Sequence, residues 1–209
     1  MLPPAVATDQ HDPYRASVRE NCPNAKVVWD RFHIMQAFNE ASNEVRKSLH
    51  DRLSPKDKAF PLTMGKYKYL FLKKPSRRSP SEQRHLDEVY RDNSDFAKIE
   101  IIKEFAYVFF DQKTEISALD TFNSLGMWIQ QSGFDPLMRW WKHLYQNWDT
   151  VKNYFYSRIT SALSEGVNNV IKALKRRSFG FRNMEYFKLK IMQVCGYLNS
   201  EFAGFQQIV

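Results

Sequence analysis

The sequence predicts an α+β fold that is mostly helical. Residues 5–50 alternate two short apolar segments with two helical ones, which is the order strand–helix–strand–helix. From residue 51 to residue 150, apolar side chains recur mostly at the three- and four-residue spacing of amphipathic helices. The chain has 209 residues, of which 43% are hydrophobic and 26% charged, as in an ordinary soluble globular protein with a real core.

The N-terminal segment reads as a βαβ unit with an acidic residue after each strand. Residues 5–8 form a short apolar segment that ends at Asp9, and the β-branched and aromatic segment 25–29 ends at Asp30. A helical segment follows each of them. The carboxyl ends of strands in open α/β sheets are where ligand and metal sites collect.

The middle of the chain, residues 51–150, is predicted to be mostly helical. It contains one β-like segment, residues 66–72, and a basic loop, residues 73–78. Helices then begin near four positions: Ser81 as a cap, Phe96, Thr114 and Pro136. The last of these helices is expected to bury an aromatic face made of Trp140, Trp141, Leu144, Tyr145 and Trp148.

Two helices are predicted near the C-terminus. The first is capped by Ser161 or Ser164 and continues to about residue 178, where Gly180 breaks it. The second extends from about Met184 through Tyr197.

The formal net charge is +8, which favours a polyanionic partner such as nucleic acid, although anionic lipid would also fit. The basic residues gather late, and within residues 170–190 only Glu185 opposes them. They are Lys172, Lys175, Arg176, Arg177, Arg182, Lys188 and Lys190. Such a group would neutralise DNA phosphates without reading sequence. The alternative is an ordinary solvated basic face.

The two cysteines, Cys22 and Cys195, form neither a zinc motif nor a disulfide framework. The first residues lack the basic and apolar regions of a signal peptide, and no segment reaches the ~20 apolar residues of a membrane span. We therefore expect a cytoplasmic protein with no membrane partner.

Three acidic residues are candidates for chemistry, namely Asp9, Asp30 and Glu165. Carboxylates brought together hold hard cations such as Mg²⁺ or Mn²⁺, and a metal pair supports phosphoryl transfer. Taken alone, however, such acids more often cap helices or interact with helix dipoles.

Two long segments make the pattern more specific. Residues 27–50 read VVWDRFHIMQAFNEASNEVRKSLH, and residues 154–183 read YFYSRITSALSEGVNNVIKALKRRSFGFRN. Both resemble signature segments of the DDE transposases of the ISL3 insertion-sequence family. The string DQHDPYRASVRENCPNA, which begins at Asp9, resembles another segment of that family. The resemblance covers about residues 6–50 and 150–195.

The resemblance implies a partial RNase H-like core with an all-helical insertion. Residues 1–50 would supply core strands and a helix, 51–150 the insertion, and 151–209 the helix with the last acid and the basic C-terminal helices. Asp9 would be the second acid of the triad and Glu165 the third, with two Mg²⁺ or Mn²⁺ ions in an intact relative.

Asp30 and His33 form a D-x-x-H pattern that several transposase groups share. The resemblance makes Asp30 a candidate catalytic and metal-binding residue. His33 would orient Asp30 or contact DNA. A buried histidine with an ordinary structural role is the alternative.

One part of the pattern is missing. An RNase H-like core takes its first acid from its first strand, yet only eight residues precede Asp9. Making Asp9 the first acid and Asp30 the second fails, because the twenty residues between them cannot hold two more strands and a helix. The family's N-terminal zinc-binding and helix-turn-helix segments are absent too. We expect a transposase truncated at its N-terminus.

Three hypotheses follow for function. The first is DNA strand transfer between the ends of an element and target double-stranded DNA. The second is a catalytically inactive remnant that binds DNA through residues 172–190. The third is a helical module that dimerises through the aromatic face around Trp140 and Trp148, and a homodimer is open under the first hypothesis as well.

Overall fold

The computed structural model describes residues 4–57, 59–64 and 68–195. This part is mostly helical, with a two-stranded parallel sheet, so the predicted α+β class is confirmed. The chain divides after Thr160 into two compact units. Within the described residues, no helix is long and apolar enough to cross a bilayer.

The predicted strand–helix–strand–helix order is present at the start of the first unit. Its elements are β1 (Ala5–Thr8), α1 (Asp12–Asn21), β2 (Lys26–Trp29) and α2 (Arg31–Ser48). The strands pair in parallel, with Ala5 opposite Lys26 and Thr8 opposite Trp29. A parallel pair needs a crossover connection, and α1 provides it. Val28 and Trp29 are buried, which anchors β2 in the core.

Helices make up the rest of the first unit. They are α3 (Phe60–Thr63), α4 (Lys68–Leu72), α5 (Pro80–Asp92), α6 (Ser94–Asp111), α7 (Glu115–Ser132), α8 (Asp135–Gln146), α9 (Trp148–Val151) and α10 (Asn153–Ser157). Asn93 and Thr114 cap α6 and α7 through their side chains, and α7 ends at Gly133 in the left-handed conformation.

The prediction of a β-like segment at residues 66–72 is wrong over the residues that the structure describes there. Residues 68–72 form the helix α4. Alternating residues had suggested a strand there. The determining contact is tertiary: Phe71 is fully buried and meets the ring of Phe96 at 5.5 Å. A helix satisfies its own backbone groups, whereas a single strand would need a partner.

Two details at helix ends also differ from prediction. The cap of α5 is Ser79, whose hydroxyl accepts from Glu82 N while the Glu82 carboxylate accepts from Ser79 N, forming a capping box. At α8, Tyr145 is 59% exposed, so it does not belong to the buried aromatic face. Its ring stacks on the outer side of Trp141, with centroids 5.2 Å apart.

The core of the first unit is rich in aromatic rings. Phe109 lies at its centre and contacts Phe122 at 5.4 Å and Phe155 at 5.2 Å between ring centroids. Trp148 stacks on Phe122 at 5.0 Å. These contacts join α6 and α7 to the short helices α9 and α10, which themselves pack on β2.

Helix α2 connects the strand pair to the later helices of the first unit. Its inner face is apolar, and Phe38 meets the ring of Trp140 on α8 at 5.0 Å. The indole of Trp140 also donates to Ile34 O at 3.2 Å. Near the far end of α2, the buried Arg46 donates to Leu62 O, at 3.2 Å, and to Thr63 O. The strand pair and the helices that follow α2 in the first unit therefore share one core.

A buried ionic cluster holds α4, α5 and α6 together. Glu100 on α6 accepts from Arg78 and from Tyr90, each at 2.9 Å, and lies 2.7 Å from the ammonium of Lys103. Lys103 also donates to Phe71 O at 2.9 Å. Because each charge has an opposite charge or a hydrogen-bond partner, the cluster is tolerated in the interior.

The second unit contains two helices, α11 (Ala162–Arg177) and α12 (Met184–Cys195), which pack on each other. We call residues 162–195 the basic hairpin. We predicted that the last helix reaches Tyr197, and the final two residues of that range lie outside the described residues. Phe181 in the connecting turn stacks on Phe187 with ring centroids 4.5 Å apart, which fixes the base of the turn.

Candidate functional site

Asp9 and Asp30 lie at the same edge of the parallel strand pair. Asp9 directly follows β1, Asp30 directly follows β2, and the last pair in register is Thr8 with Trp29. Asp30 N donates to Thr8 O at 2.9 Å, which extends the pairing by one bond. The strand register thus brings together the two acids that the sequence had singled out in this unit.

The carboxylate of Asp30 has a defined local role. Its Oδ1 accepts from Phe32 N at 2.8 Å, so Asp30 is the N-cap of α2. The residue is 2% exposed. This contact fixes where α2 begins and therefore where its first turn, including His33, faces.

Asp9 lines a cleft between the strand edge and helix α2. The cleft has a volume of about 350 Å³, and we call it the edge cleft. Its lining residues are Asp9, Gln10, His11, His33, Gln36, Ala37 and Glu40. Asp9 Oδ1 accepts from His11 N at 3.1 Å, a contact that orients the carboxylate.

The edge cleft brings Asp9 and His33 together, and it adds residues that the sequence reasoning missed. One of them is Glu40, an exposed carboxylate on the same helix as His33. A signal for it existed: His33, Gln36 and Glu40 follow the spacing of one helix face. Beside them, the ring of Phe32 meets that of His33 at 5.3 Å.

The edge cleft is polar but does not form a complete metal cage. Within the described residues, no group of three or more His, Cys, Asp or Glu side chains is arranged to hold a metal ion. Asp9 and Glu40 offer the oxygen donors that hard cations prefer.

Glu165 lies in the first turn of α11, in the second unit. Ser161 occupies the N-cap position, but its hydroxyl donates to Glu165 Oε1 at 3.2 Å instead of accepting from a backbone N–H. Glu165 is exposed on the surface of the hairpin. That Glu165 approaches Asp9 stays a prediction.

The basic hairpin displays the cations that the sequence had grouped. Lys172, Lys175 and Arg176 are exposed on α11, followed by Arg177 at its end. Among the described residues, these four have no carboxylate at ion-pair distance, whereas Lys188 pairs with Glu185 at 2.8 Å. Two further members, Arg182 and Lys190, lie in the turn and on α12. The hairpin therefore presents a positive surface.

The chain belongs to the ISL3 family of transposases, whose family model (DDE_Tnp_ISL3, described as "Transposase") matches residues 4–191.

One curated relative is a transposase for the insertion sequence element IS1001 from Bordetella parapertussis. It is 26% identical over 189 residues, which is 90% of this chain and 46% of the relative. The chain thus spans a little less than half the length of this relative. No solved structure matches the chain.

Proposed function

We propose that this chain is part of an enzyme that transfers DNA strands by metal-assisted phosphoryl transfer, with Asp9 and Glu165 as two of its catalytic acids. The supporting observation is the edge cleft, in which Asp9 and His33 share one surface at the carboxyl edge of the parallel strands. A strand edge of this kind is a usual place for a phosphate-binding and metal-binding site. An RNase H-like core completed by the second unit belongs to the same proposal.

The donor set of the proposed site suits Mg²⁺ or Mn²⁺. Carboxylate oxygens from Asp9 and Glu165 would bind the ions, and the family membership supports divalent metal chemistry. Such ions, when bound, stabilise both the attacking and the leaving oxygen of a phosphodiester. The chain itself then has to hold the carboxylates in place and position the DNA backbone.

Asp30 and His33 have distinct tasks in this proposal. The carboxylate of Asp30 is buried and caps α2, which favours a positioning role over the direct metal binding that the resemblance implies. His33 lines the edge cleft, where its ring can contact a DNA phosphate beside Asp9.

The basic hairpin is proposed to bind double-stranded DNA, both element ends and target. Its exposed cations are spaced along α11 and neutralise phosphates without distinguishing bases. Affinity should therefore fall steeply with salt and depend little on sequence. Whether two copies act together stays a prediction.

The test measures strand transfer and DNA binding in a complete transposase that contains these residues. Glu165→Gln and Asp9→Asn should each abolish Mg²⁺-dependent transfer and leave DNA binding nearly intact, since a neutral amide keeps the shape but binds the ion poorly. Glu185→Gln is the matched control, because Glu185 is an exposed acid of the same hairpin that pairs with Lys188. Undiminished transfer in Glu165→Gln would remove that residue from the catalytic role.

A second arm uses the 209-residue chain itself. Mg²⁺-dependent nicking of DNA carrying the element ends would support catalysis by this chain. Salt-sensitive DNA binding without nicking would instead favour the DNA-binding remnant. A chain that retains no DNA at low salt would leave only the interaction module.

A further inference from the structure

The aromatic ring of Phe179, in the turn of the basic hairpin, is entirely exposed to solvent. Phe179 has a relative exposure of 102%, whereas the neighbouring Phe181 packs on Phe187 at 4.5 Å. A large apolar ring with no covering group is unfavourable in water. An uncovered aromatic face is available to stack on a partner.

The backbone holds Phe179 in a conformation that a bulky residue rarely adopts. Its φ is +50°, in the left-handed region, and the next residue, Gly180, has φ +99°. Phe179 N donates to Arg176 O at 3.1 Å, and Gly180 N donates to Lys175 O at 3.0 Å. These two bonds close the C-terminal end of α11. Strain of this kind collects at functional positions.

Cations flank the exposed ring along the chain on both sides. Arg176 and Arg177 end α11 immediately before it, and Arg182 follows three residues later; all three are exposed. A base-pair step of duplex DNA has the complementary arrangement, with a flat apolar interior between two charged backbones. The arginines on both sides of Phe179 therefore complement the charge of the two backbones around such a step.

We propose, on the basis of DNA binding by the basic hairpin, that Phe179 is a wedge that enters between neighbouring base pairs of double-stranded DNA. The arginines beside it bind the phosphates on either side of that step. Insertion unstacks the step and bends the duplex, as apolar wedges do in architectural proteins. Steps of the pyrimidine–purine type accept the wedge most readily because they unstack most easily.

The experiment uses the full 209-residue chain and a short duplex with 2-aminopurine as the purine of its TA steps. Fluorescence of this base rises when stacking is lost. At saturating protein we expect a rise with the wild type, loss of that rise with Phe179→Ala, and its retention with Phe179→Leu. Because the Phe179 ring is fully exposed, none of these changes removes a core contact.

Tyr186→Ala is the matched control, since Tyr186 is an exposed aromatic residue of the same hairpin outside the turn. It should keep the fluorescence rise. An equal loss of the fluorescence rise in Tyr186→Ala would overturn the wedge. Unstacking of the DNA would then depend on several aromatic residues of the hairpin and not on Phe179 in particular.

Two other outcomes separate this inference from the function on which it rests. Wild-type chain that binds the duplex with a salt-dependent affinity but leaves its fluorescence unchanged overturns the wedge alone. Chain that binds no duplex overturns DNA binding by the hairpin as well. If Phe179→Ala instead abolishes co-sedimentation with vesicles of anionic lipid and leaves DNA unstacking unchanged, the ring serves a membrane surface and the wedge is wrong.

Discussion

Arg78 and Glu100 form a two-point ion pair in the interior of the first unit. Nη1 lies 2.8 Å from Oε1, Nη2 donates to Oε2 at 2.9 Å, and the side chains are 1% and 10% exposed. The neighbouring guanidinium and ammonium of Arg78 and Lys103 hold the pKa of Glu100 below its ordinary value, although burial acts in the opposite direction. The carboxylate of Glu100 is therefore charged at neutral pH and forms ion pairs with two buried cations, Arg78 and Lys103.

Removing that carboxylate should be costly. Glu100→Gln leaves Arg78 and Lys103 without their counter-charge, and we expect the free energy of unfolding to fall by about 3–5 kcal/mol in urea titrations. Glu44→Gln is the matched control, because its pair with Arg139 is 59% and 68% exposed, and it should cost at most about 1 kcal/mol. Equal losses in the two variants would contradict the assignment.

The pKa of Lys103 gives the folded state a pH dependence. Burial lowers this pKa to about 8, and the positive charge of Arg78 acts in the same direction. Glu100 and Glu104 oppose the shift without cancelling it. The unfolded chain keeps the lysine proton up to about pH 10.4. Unfolding therefore takes up a proton between these values, and this residue makes the folded state more stable as pH rises from about 8 toward 10.

The measurement is the unfolding free energy of wild type and Lys103→Met at pH 7 and pH 9.5. The difference between the two proteins should shift in favour of wild type at the higher pH. Tyr90 acts in the opposite direction only above its ordinary pKa, since burial raises the pKa of its hydroxyl. A difference that does not change with pH would show that Lys103 titrates normally.

Gly126 allows α7 and α8 to approach closely. A Cβ there would lie 2.5 Å from Cζ2 of Trp141, whose ring stacks on Phe122 and donates to Phe122 O at 3.1 Å. Gly126→Ala should displace the indole, lower the unfolding free energy by about 1–3 kcal/mol and change tryptophan fluorescence. Gly166→Ala in α11 is the control, because a Cβ there meets nothing within 4 Å, and it should increase helicity.

Two variants of Asp30 separate its cap from its charge. Asp30→Ala removes the bond to Phe32 N and should lower the unfolding free energy by about 1 kcal/mol. Asn is an equally good N-cap, so Asp30→Asn should keep stability. Full strand transfer in Asp30→Asn would support a purely positioning role. Loss of transfer at unchanged stability would show that the charge itself is needed.

The basic hairpin should determine the salt dependence of DNA binding. Arg176→Ala with Arg177→Ala should weaken binding to all sequences and reduce the slope of log affinity against log salt by about 2, one phosphate for each arginine. The matched control changes Arg84 and Arg91, two exposed arginines of α5, to Ala. An unchanged slope in the hairpin variant, or an equal change in the control, would exclude this surface.

The strand–helix–strand–helix order could be predicted from sequence because its signals are local. Val27 and Val28 favour a strand, and the apolar spacing after Asp30 favours a helix. The register that places Asp9 beside Asp30 follows from parallel pairing, and the capping role of Asp30 follows from its place before a helix. Here local chemistry and tertiary structure agree.

Other features depend on contacts far apart in the sequence. Residue Arg78 belongs to a loop that reads as a solvated basic segment, yet it pairs with Glu100, twenty-two residues later, in the interior. The alternating residues before Leu72 suggested a strand, and burial of Phe71 against Phe96 decided for a helix. No local pattern contains such information, because each contact needs both elements in place.

The core that α2 shares with α8 has a consequence for any shortened form of the chain. Deleting residues 51–150 would remove the indole that bonds to Ile34 O and uncover Phe38, so the remaining strands would present a bare apolar helix to water. Such a fragment should aggregate. Residues 51–150 therefore complete the core that α2 begins, and a variant lacking them would need a new apolar surface to cover Phe38.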